Sequence, residues 1–403
     1  MARASNPVSD DADPAAEAAL YLERVRALAP RIEAAAEEID RERRIPASLH
    51  RGLLEAGFFR LFLPRSLGGA EAHPLTFMRI VEAIAGLEAS TAWNIGQNAV
   101  CGLVGAYLSP EVGRKIFGDE RAVLAWGPPE PDARAVVCDG GYRVTGAWSF
   151  ASGARDATWL GGYCPVHEAD GTPRRTENGA TVRRVMLFPA EAATMTDVWH
   201  VIGLRGTASD AYAVSDLLVP HDHSVLRDDL SENREPGWLY RFTVLNLFAC
   251  GFSSIALAVA RSMLESLIRL AAEKTPRGSR TTLRDNAATQ AEVAQAEARL
   301  ASARSYLVQS MTEICAEVQR TNQLTLEQRM TIRLAATHAI QQAVQVGDFA
   351  YEAAGSGAIF ASNPFERRFR DLHAIAQQLQ GRKSHFQTVG KFLLGLDGDF
   401  PFV

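Results

Sequence analysis

Two serines near the middle of the chain are the first candidates for chemistry. The segment "GYRVTGAWSFASG", residues 141–153, alternates apolar and polar side chains, as a β-strand does, after a Gly-Gly turn. It ends with Ser149, Phe150, Ala151, Ser152 and Gly153. A hydroxyl among such small residues can bond a closely approaching ligand, whereas a turn serine can also bond its own backbone. By itself the pattern predicts a hairpin.

Histidines are the candidates for proton transfer and for metal binding. His373, in "RDLHA", has a side chain type that titrates near neutral pH and therefore suits acid-base catalysis. The alternative is a structural histidine that bonds Asp371 or a nearby carbonyl. His221 and His223 stand one residue apart without a third clustered ligand. We therefore predict a surface turn there and no metal site.

An arginine-rich segment could bind an anion. In "EKTPRGSRTTLRDNAATQ", residues 273–290, Arg277 offers paired donors and the turn at Ser279 would expose backbone amides. The same residues also fit a solvated loop between helices, with Arg280 and Arg284 beside Arg277. The sequence leaves both interpretations open.

Composition excludes several function classes. The chain has 403 residues, 47% hydrophobic and 22% charged, with a net charge of -5 and both signs mixed throughout, so nothing indicates nucleic-acid binding. It has neither a P-loop nor a G-x-G-x-x-G motif after a strand, so we expect NAD(P)H to be used by a partner. The five cysteines are scattered, which predicts reduced thiols.

We expect a cytoplasmic protein without a membrane segment. No apolar run approaches the roughly 18–20 residues that span a bilayer, and the first residues are too acidic for a secretory signal.

The hydrophobic pattern divides the chain into regions. Residues 14–119 show helical spacing, residues 120–227 read as short strands joined by tight turns, and residues 228–403 return to long helices. One apolar stripe runs from Val293 to Val318, as in a helical bundle. We expect residues 1–13 to form a disordered tail.

This order, together with four motifs, resembles the acyl-CoA dehydrogenase superfamily. The motifs are "GAWSFASG" (146–153), "GLRGTASDAYAVSDLLVP" (203–220), "YEAAGSGAIF" (351–360) and "RFRDLHAI" (368–375). The resemblance implies an α+β fold with an N-terminal helical domain, a central β-barrel or sandwich domain and a C-terminal four-helix bundle.

Within the superfamily, the residues favour one of two chemistries. The dehydrogenases use a carboxylate base at one of two positions, but neither residues 376–385 nor residues 245–260 contain Asp or Glu. "RDLHA", "WSFASG" and "LEASTAWNIGQNAV" instead resemble the two-component flavin-dependent monooxygenases, the branch of hydroxyphenylacetate hydroxylase and dibenzothiophene monooxygenase. The alternatives are a dehydrogenase-type FAD oxidoreductase with an unrecognised base and a non-catalytic flavin-binding protein.

The resemblance implies an oxygenase component that takes reduced flavin, FMNH2 or FADH2, from a separate NAD(P)H-flavin reductase. With O2, and through a C4a-hydroperoxyflavin, it would hydroxylate an aromatic or heteroatom-containing small molecule. The family also implies a homotetramer.

The resemblance assigns roles to individual residues. The hydroxyl of Ser152, or as second choice of Ser149, would bond N5 of the flavin, and the backbone amides of Ala151 and Ser152 would reach the edge of its ring. His373 would act beside the reacting atoms. The remaining predicted flavin contacts are Trp126, Phe150, Ala151 and Gly153 at the ring, and Arg277, Ser279, Gly355 and Gly357 at the phosphates; Gly355 and Gly357 also fit a helix C-cap. Trp93, Asn94 and Asn98 are the predicted substrate contacts.

Overall fold

The computed structural model describes residues 13–396, 398, 400 and 403. The predicted disordered tail therefore lies outside the described residues except for Asp13. The carboxylate of Asp13 accepts a hydrogen bond from the Ala15 amide over 2.9 Å and caps the first helix.

Five helices form the N-terminal region. They are α1 Pro14–Glu42, α2 Ala47–Glu55, α3 Pro74–Leu87, α4 Ala89–Cys101 and α5 Pro110–Phe117. The start of α4 is fixed by Glu88, whose carboxylate accepts from the amides of Ser90 and Thr91 over 3.0 and 2.6 Å. This cap positions the helix that carries the predicted substrate contacts.

The central region is a mixed sheet. Its strands are β1 Leu124–Ala125, β2 Arg134–Cys138, β3 Gly141–Ala151, β4 Trp159–His167, β5 Arg183–Pro189, β6 Thr194–Thr196, β7 Asp210–Pro220 and β8 Ser224–Val225. The order is β6-β7-β3-β2-β4-β5-β8, with β1 beside β4. β4 pairs in parallel with β1 and β2, and the other pairs are antiparallel.

The register of β3 and β7 matters most for the site. Ala151 at the end of β3 pairs with Asp210 at the start of β7. Since the two strands are antiparallel, the residue after Ala151 lies beside the residue before Asp210. The sheet thus brings Ser152 to Ser209.

The C-terminal region is a helical bundle of α6 Val244–Glu273, α7 Ala287–Thr321, α8 Leu326–Ala354, α9 Pro364–Gln377 and α10 Ser384–Leu393. Along α7, the predicted stripe buries Leu300, Leu307 and Met311. α6 packs against α3, α7, α8 and α9. The predicted α+β class, with helices before and after a central β region, is confirmed.

The helices before and after the sheet share one hydrophobic core, to which Val185 and Leu187 of β5 also belong, and a second core within the sheet surrounds Trp148, Phe188 and Tyr212. The element type changes between Phe117 and Leu124 and again between Val225 and Val244. The domain boundaries after residues 119 and 227 stay predictions.

One helix corrects an expectation about apolar runs. α6 is long and apolar enough to cross a membrane, with a mean hydropathy of 1.7 over 18 residues. However, 89% of that window is buried inside the protein. Such burial is typical of a core helix, because α6 lies between the N-terminal helices and the rest of the bundle.

Candidate active site

The end of β3 places a serine in a buried hydrogen-bond network. Ser152 is 4% exposed, and Gly153 after it adopts a φ of 76°. The indole Nε1 of Trp93 donates to Ser152 Oγ over 3.0 Å, and Asn98 Nδ2 donates to the Ser152 carbonyl over 3.2 Å. The structure therefore brings together four predicted site residues from α4 and the end of β3.

The loop of residues 203–209, called the 203–209 loop below, adds two hydroxyls. Ser209 Oγ lies 2.7 Å from Ser152 Oγ and 2.6 Å from Thr207 Oγ1. Thr207 Oγ1 donates to the Leu204 carbonyl over 2.8 Å. Leu204 and Ala208 both have positive φ angles, 52° and 45°, which are unfavourable for residues with a Cβ. The surroundings must therefore hold this loop.

A buried carboxyl of α9 is the main anchor of that loop. Asp371 Oδ1 accepts from the Leu204 amide over 2.6 Å, and a Cβ on Gly203 would collide with the Arg370 carbonyl. The pKa of Asp371 is raised to about 7, first by burial and then by the nearby Glu88 carboxylate. Three regions of the chain thus meet at the 203–209 loop.

Phe150 is a large apolar side chain left exposed at the end of β3. It is 62% exposed and has a φ of 55°, an outlier for an aromatic residue. Its ring stands edge-on to Trp199 with centroids 5.8 Å apart, and Trp199 Nε1 donates to the Leu204 carbonyl over 2.9 Å. A planar ligand against Phe150 would cover this apolar surface.

Ser149 faces away from the network. Its hydroxyl donates to Glu130 Oε1 over 2.8 Å. The amide of Ser152, predicted to face the ligand together with that of Ala151, donates to the Phe150 carbonyl over 3.1 Å. The contacts of Ser149 and of these amides with flavin stay predictions, and Ser152 is the serine that joins α4 to the 203–209 loop.

Trp126 has a packing role. Its buried indole lies against Gly161 of β4, and the Arg227 guanidinium is 5.9 Å from the ring centroid. Gln97 of α4 donates to the Trp126 carbonyl over 3.2 Å. Its predicted flavin contact stays a prediction.

An aromatic wall continues from Trp93. The indole stacks on Phe252 with a centroid distance of 3.8 Å and an angle of 4°, and Phe252 stacks on Phe248 at 5.4 Å and 6°. Next to Trp93 on α4, Asn94 is buried, and its Oδ1 has no hydrogen-bond partner among the described residues. The substrate contacts of Trp93, Asn94 and Asn98 stay predictions.

His373 lies elsewhere on α9. Its Nε2 is 2.8 Å from Asp348 Oδ1 of α8, and its ring centroid is 4.4 Å from that of Phe369. Two helix positions separate His373 from Asp371, so the two side chains leave α9 on nearly opposite faces. Between the described residues, no hydrogen bond joins His373 to Ser152. Its role beside the reacting atoms stays a prediction.

The predicted phosphate contacts form a second group. Gly355, with a φ of 66°, ends α8 and lies beside Lys274, whose Nζ donates to the Ala354 carbonyl. Lys274 begins the loop that carries Arg277 and Ser279, and Ser279 Oγ donates to the Thr281 carbonyl over 2.9 Å. The helix end with Gly355 and Gly357 and the arginine loop are therefore neighbours; their contact with phosphate stays a prediction.

A cavity of about 530 Å³ lies between α1, α9 and the chain that leads into the 203–209 loop. Its lining residues are Arg43, His200, Val201, Ile202, Arg205, Glu366 and Arg370. The three arginines pair with acidic groups, as Arg43 does with Asp197 over 2.8 Å. This cluster was not predicted from the sequence.

Metal ligands are not clustered in the part of the chain that the structure describes, where no group of three His, Cys, Asp or Glu side chains could hold an ion. His223 Nδ1 lies 2.7 Å from Asp222 Oδ1 in a short turn after β7.

Family models match both helical regions. The model of the N-terminal domain of acyl-CoA dehydrogenase matches residues 15–118, and the model of its C-terminal domain matches residues 250–381. Together they cover more than half of the chain. The chain belongs to the acyl-CoA dehydrogenase family.

Similar proteins within this family bear monooxygenase names. Indole-3-acetate monooxygenase of Acinetobacter baumannii is 28% identical over 375 residues, which are 91% of this chain and 92% of that protein. The oxygenase subunit HsaA of a flavin-dependent monooxygenase from Rhodococcus jostii is 28% identical, covering 88% and 92%. The oxygenase component of an FADH2-dependent resorcinol hydroxylase from a Rhizobium species is 25% identical, covering 93% and 94%.

Solved structures share the whole fold. XiaF from a Streptomyces species, in complex with FADH2 and glycerol, matches with a TM-score of 0.88 and 23% identity, covering 96% of this chain and 98% of XiaF. The 3-HSA hydroxylase from a Rhodococcus species matches with a TM-score of 0.86 and 25% identity, covering 98% and 100%. The predicted superfamily and its monooxygenase branch are confirmed.

The residues at the end of β3 fit a reduced flavin. The exposed Phe150 offers a face to a planar ring, and beside it the buried Ser152 hydroxyl offers a polar contact. Phe150, Ser152 and the turn at Gly153 are thus the residues that would hold the ring system.

Sequence reasoning missed Thr207, Ser209 and Asp371. The motif "GLRGTAS" did contain two hydroxyl residues at its end, and the R-D pair preceded His373. Only the β3–β7 register and the packing of α9 reveal that these groups converge on Ser152 and Leu204.

Proposed function

We propose that this protein is the oxygenase component of a two-component flavin-dependent monooxygenase that acts on an aromatic small molecule. The observation that carries the proposal is the Ser152 hydroxyl, buried and bonded by Trp93 beside the exposed ring of Phe150. The monooxygenase names of relatives that match this chain over most of their length support it.

Reduced flavin, when bound, supplies two electrons that let O2 deliver one oxygen atom to the substrate while the other leaves as water. The chain's own contribution is to bind, orient and exclude water. Ser152 would provide the hydrogen-bond contact at the flavin ring, and Phe150 would cover one part of that ring. The hydroxyls of the network that holds Ser152 are shielded from bulk solvent.

The aromatic wall supports a planar substrate. Trp93, Phe252 and Phe248 are buried and nearly parallel, and we propose that an aromatic substrate ring packs beside this stack. The unpartnered Oδ1 of Asn94 would accept a hydrogen bond from a phenol, indole or amine group. Substrates without a donor would leave this buried acceptor unsatisfied.

His373 is the proposed acid-base group. Asp348 Oδ1 lies 2.8 Å from its Nε2 and orients the imidazole ring. The described contacts of His373 are all on α8 and α9. The pair of His373 and Asp348 therefore has to be tested separately from Ser152.

The dehydrogenase alternative lacks an accessible base. Glu88, Asp210 and Asp371 are buried carboxyl groups beside the 203–209 loop. Glu88 and Asp371 accept hydrogen bonds from backbone amides, and Asp210 pairs with Arg155. A base must reach the α-proton of its substrate, and none of these three groups is presented to a ligand.

The partner and assembly follow from the same proposal. A separate NAD(P)H-dependent reductase would supply the flavin, because relatives are named as oxygenase components or subunits. We also propose a cytoplasmic homotetramer in which the arginine loop and the end of α8 bind the flavin phosphates across a subunit interface.

The proposal is tested by adding photoreduced FMN or FAD to the protein without oxygen, followed by oxygenated buffer and a panel of phenols and indoles. We expect hydroxylated product and slower reoxidation than for free flavin. Reoxidation at the free rate with all reducing equivalents recovered as H2O2 would contradict the proposal. Bleaching of tightly bound oxidised FAD by an acyl thioester would instead favour the dehydrogenase.

Two comparisons assign roles. Ser152→Ala and Ser149→Ala remove hydroxyls three residues apart, and we expect the larger loss of product from Ser152→Ala. His373→Asn and Asp348→Asn should both lower product yield if the pair moves a proton. Unchanged yield in both variants would give the pair a structural role only.

A further inference from the structure

The hydrogen bonds around Ser152 have a direction that chemistry alone determines. An indole N–H can only donate, a carbonyl can only accept, and a hydroxyl has one proton to give. Thr207 Oγ1 contacts the Leu204 carbonyl over 2.8 Å, so the Thr207 proton is used there. Trp199 Nε1 and the Thr207 amide also donate to this carbonyl, over 2.9 and 3.2 Å.

The remaining protons follow in order. Ser209 lies 2.6 Å from Thr207 Oγ1, and because the Thr207 proton is used, Ser209 must be the donor. Ser152 lies 2.7 Å from Ser209 Oγ, and for the same reason Ser152 must donate to Ser209. The reverse direction would place two oxygens in contact without a proton between them, which is repulsive.

Burial prevents this relay from rearranging. Thr207, Ser209 and Ser152 are 0%, 2% and 4% exposed, so bulk water cannot replace a broken bond. Trp93 occupies one of the two acceptor positions of Ser152 Oγ. Ser152 Oγ therefore has one acceptor position free for a ligand, and the Ser152 proton is donated to Ser209.

We infer that Ser209 and Thr207 are positioning residues that fix Ser152 as a hydrogen-bond acceptor and thereby make the site select reduced over oxidised flavin. The inference rests on the proposed function. N5 of reduced flavin carries a proton and donates, whereas N5 of oxidised flavin has a lone pair and needs a donor. As an acceptor, Ser152 would take the hydrogen bond from N5 of reduced flavin. Against oxidised flavin, its lone pair would face the lone pair of N5, which is repulsive.

This selection suits a cofactor that is carried between two proteins. The reduced form is held for reaction with O2, and the oxidised form is released to return to the reductase. Ser209 and Thr207 would achieve this without touching the flavin.

The test measures dissociation constants of reduced flavin, under anaerobic conditions, and of oxidised flavin, with FMN and FAD in turn. The variants are Ser209→Ala and Thr207→Val, each of which frees the Ser152 proton. We expect each to bind oxidised flavin about tenfold more tightly relative to reduced flavin than the unmodified protein does, the equivalent of one recovered hydrogen bond.

Controls separate the relay from packing. Ser209→Thr keeps the hydroxyl and should keep the preference for reduced flavin. Ser254→Ala removes a buried hydroxyl of α6 that donates to the Cys250 carbonyl, outside the relay, and should keep this preference too. Thermal unfolding checks that each variant folds. If Ser209→Ala fails to fold, the near-isosteric Thr207→Val carries the test.

Two outcomes would overturn the inference. Flavin binding with the same preference in folded Ser209→Ala or Thr207→Val rejects the relay and leaves the proposed function intact. Absence of binding by either flavin in either redox state rejects the proposed function and the relay with it.

Discussion

Replacing Asp371 by Asn should change how the stability of the protein depends on pH. The pKa of Asp371 is raised from 3.8 to about 7, by burial first and by Glu88 next, against the amide of Leu204 and the charges of Arg367 and Arg370. The folded chain therefore prefers the protonated acid. This stabilisation is complete below about pH 4, declines as the pH rises to about 7, and is absent above.

The size of the effect follows from the shift. Each pKa unit corresponds to about 1.4 kcal/mol, so a shift from 3.8 to about 7 sets an upper bound of about 4 kcal/mol. Relaxation around buried charges commonly reduces such values, and we expect roughly 1–2 kcal/mol between pH 4 and pH 8. Asn keeps the oxygen that accepts from the Leu204 amide and has no proton to lose.

The assay is urea unfolding of both proteins at several pH values in that range. Asp371→Asn should gain stability relative to the unmodified protein as the pH rises, and Asp139→Asn, at an exposed turn before β3, should not. Parallel curves for Asp371→Asn and the unmodified protein would refute a buried, protonated Asp371.

Three further changes test the geometry of the site. Gly127→Ala should destabilise the protein by about 1–3 kcal/mol in thermal unfolding, because its Cβ would collide with the Ser149 carbonyl. Trp93→Phe removes the donor to Ser152, and denaturant unfolding should show a loss of about 1 kcal/mol. Phe150→Ala should leave stability within about 0.5 kcal/mol, since the ring is exposed, while flavin titration shows weaker binding.

The sequence was sufficient for the fold because its signals are local. The stripe along α7 and the turn-punctuated strands between Leu124 and Val225 each reflect the period of one element. The hydroxyl at Ser152 was also recognised, since its motif is contiguous. Its partners Trp93 and Ser209 lie 59 and 57 residues away in the chain, so only the tertiary structure could join them.

Other site predictions depended on side-chain direction, which a motif does not contain. Ser149 and Ser152 are three residues apart on a strand and bond on different sides, to Glu130 and to Trp93. His373 finds its partner on α8 at Asp348, whereas Asp371 and nearby carbonyls were considered from the sequence. The direction of the His373 side chain depends on how α9 packs against α8.

Because the protein has two hydrophobic cores, residues that select the substrate and residues that hold the cofactor can change independently. Trp93, Phe248 and Phe252 belong to the core shared by the helices, whereas Trp148 and Ala151 belong to the core of the sheet. Hydrogen bonds from the Trp93 indole and the Asn98 amide to Ser152 connect α4 to the end of β3. Under the proposed function, substitutions at Phe248 or Phe252 would therefore alter substrate selection while the strand proposed to hold the cofactor stays unaltered, which directed evolution can exploit.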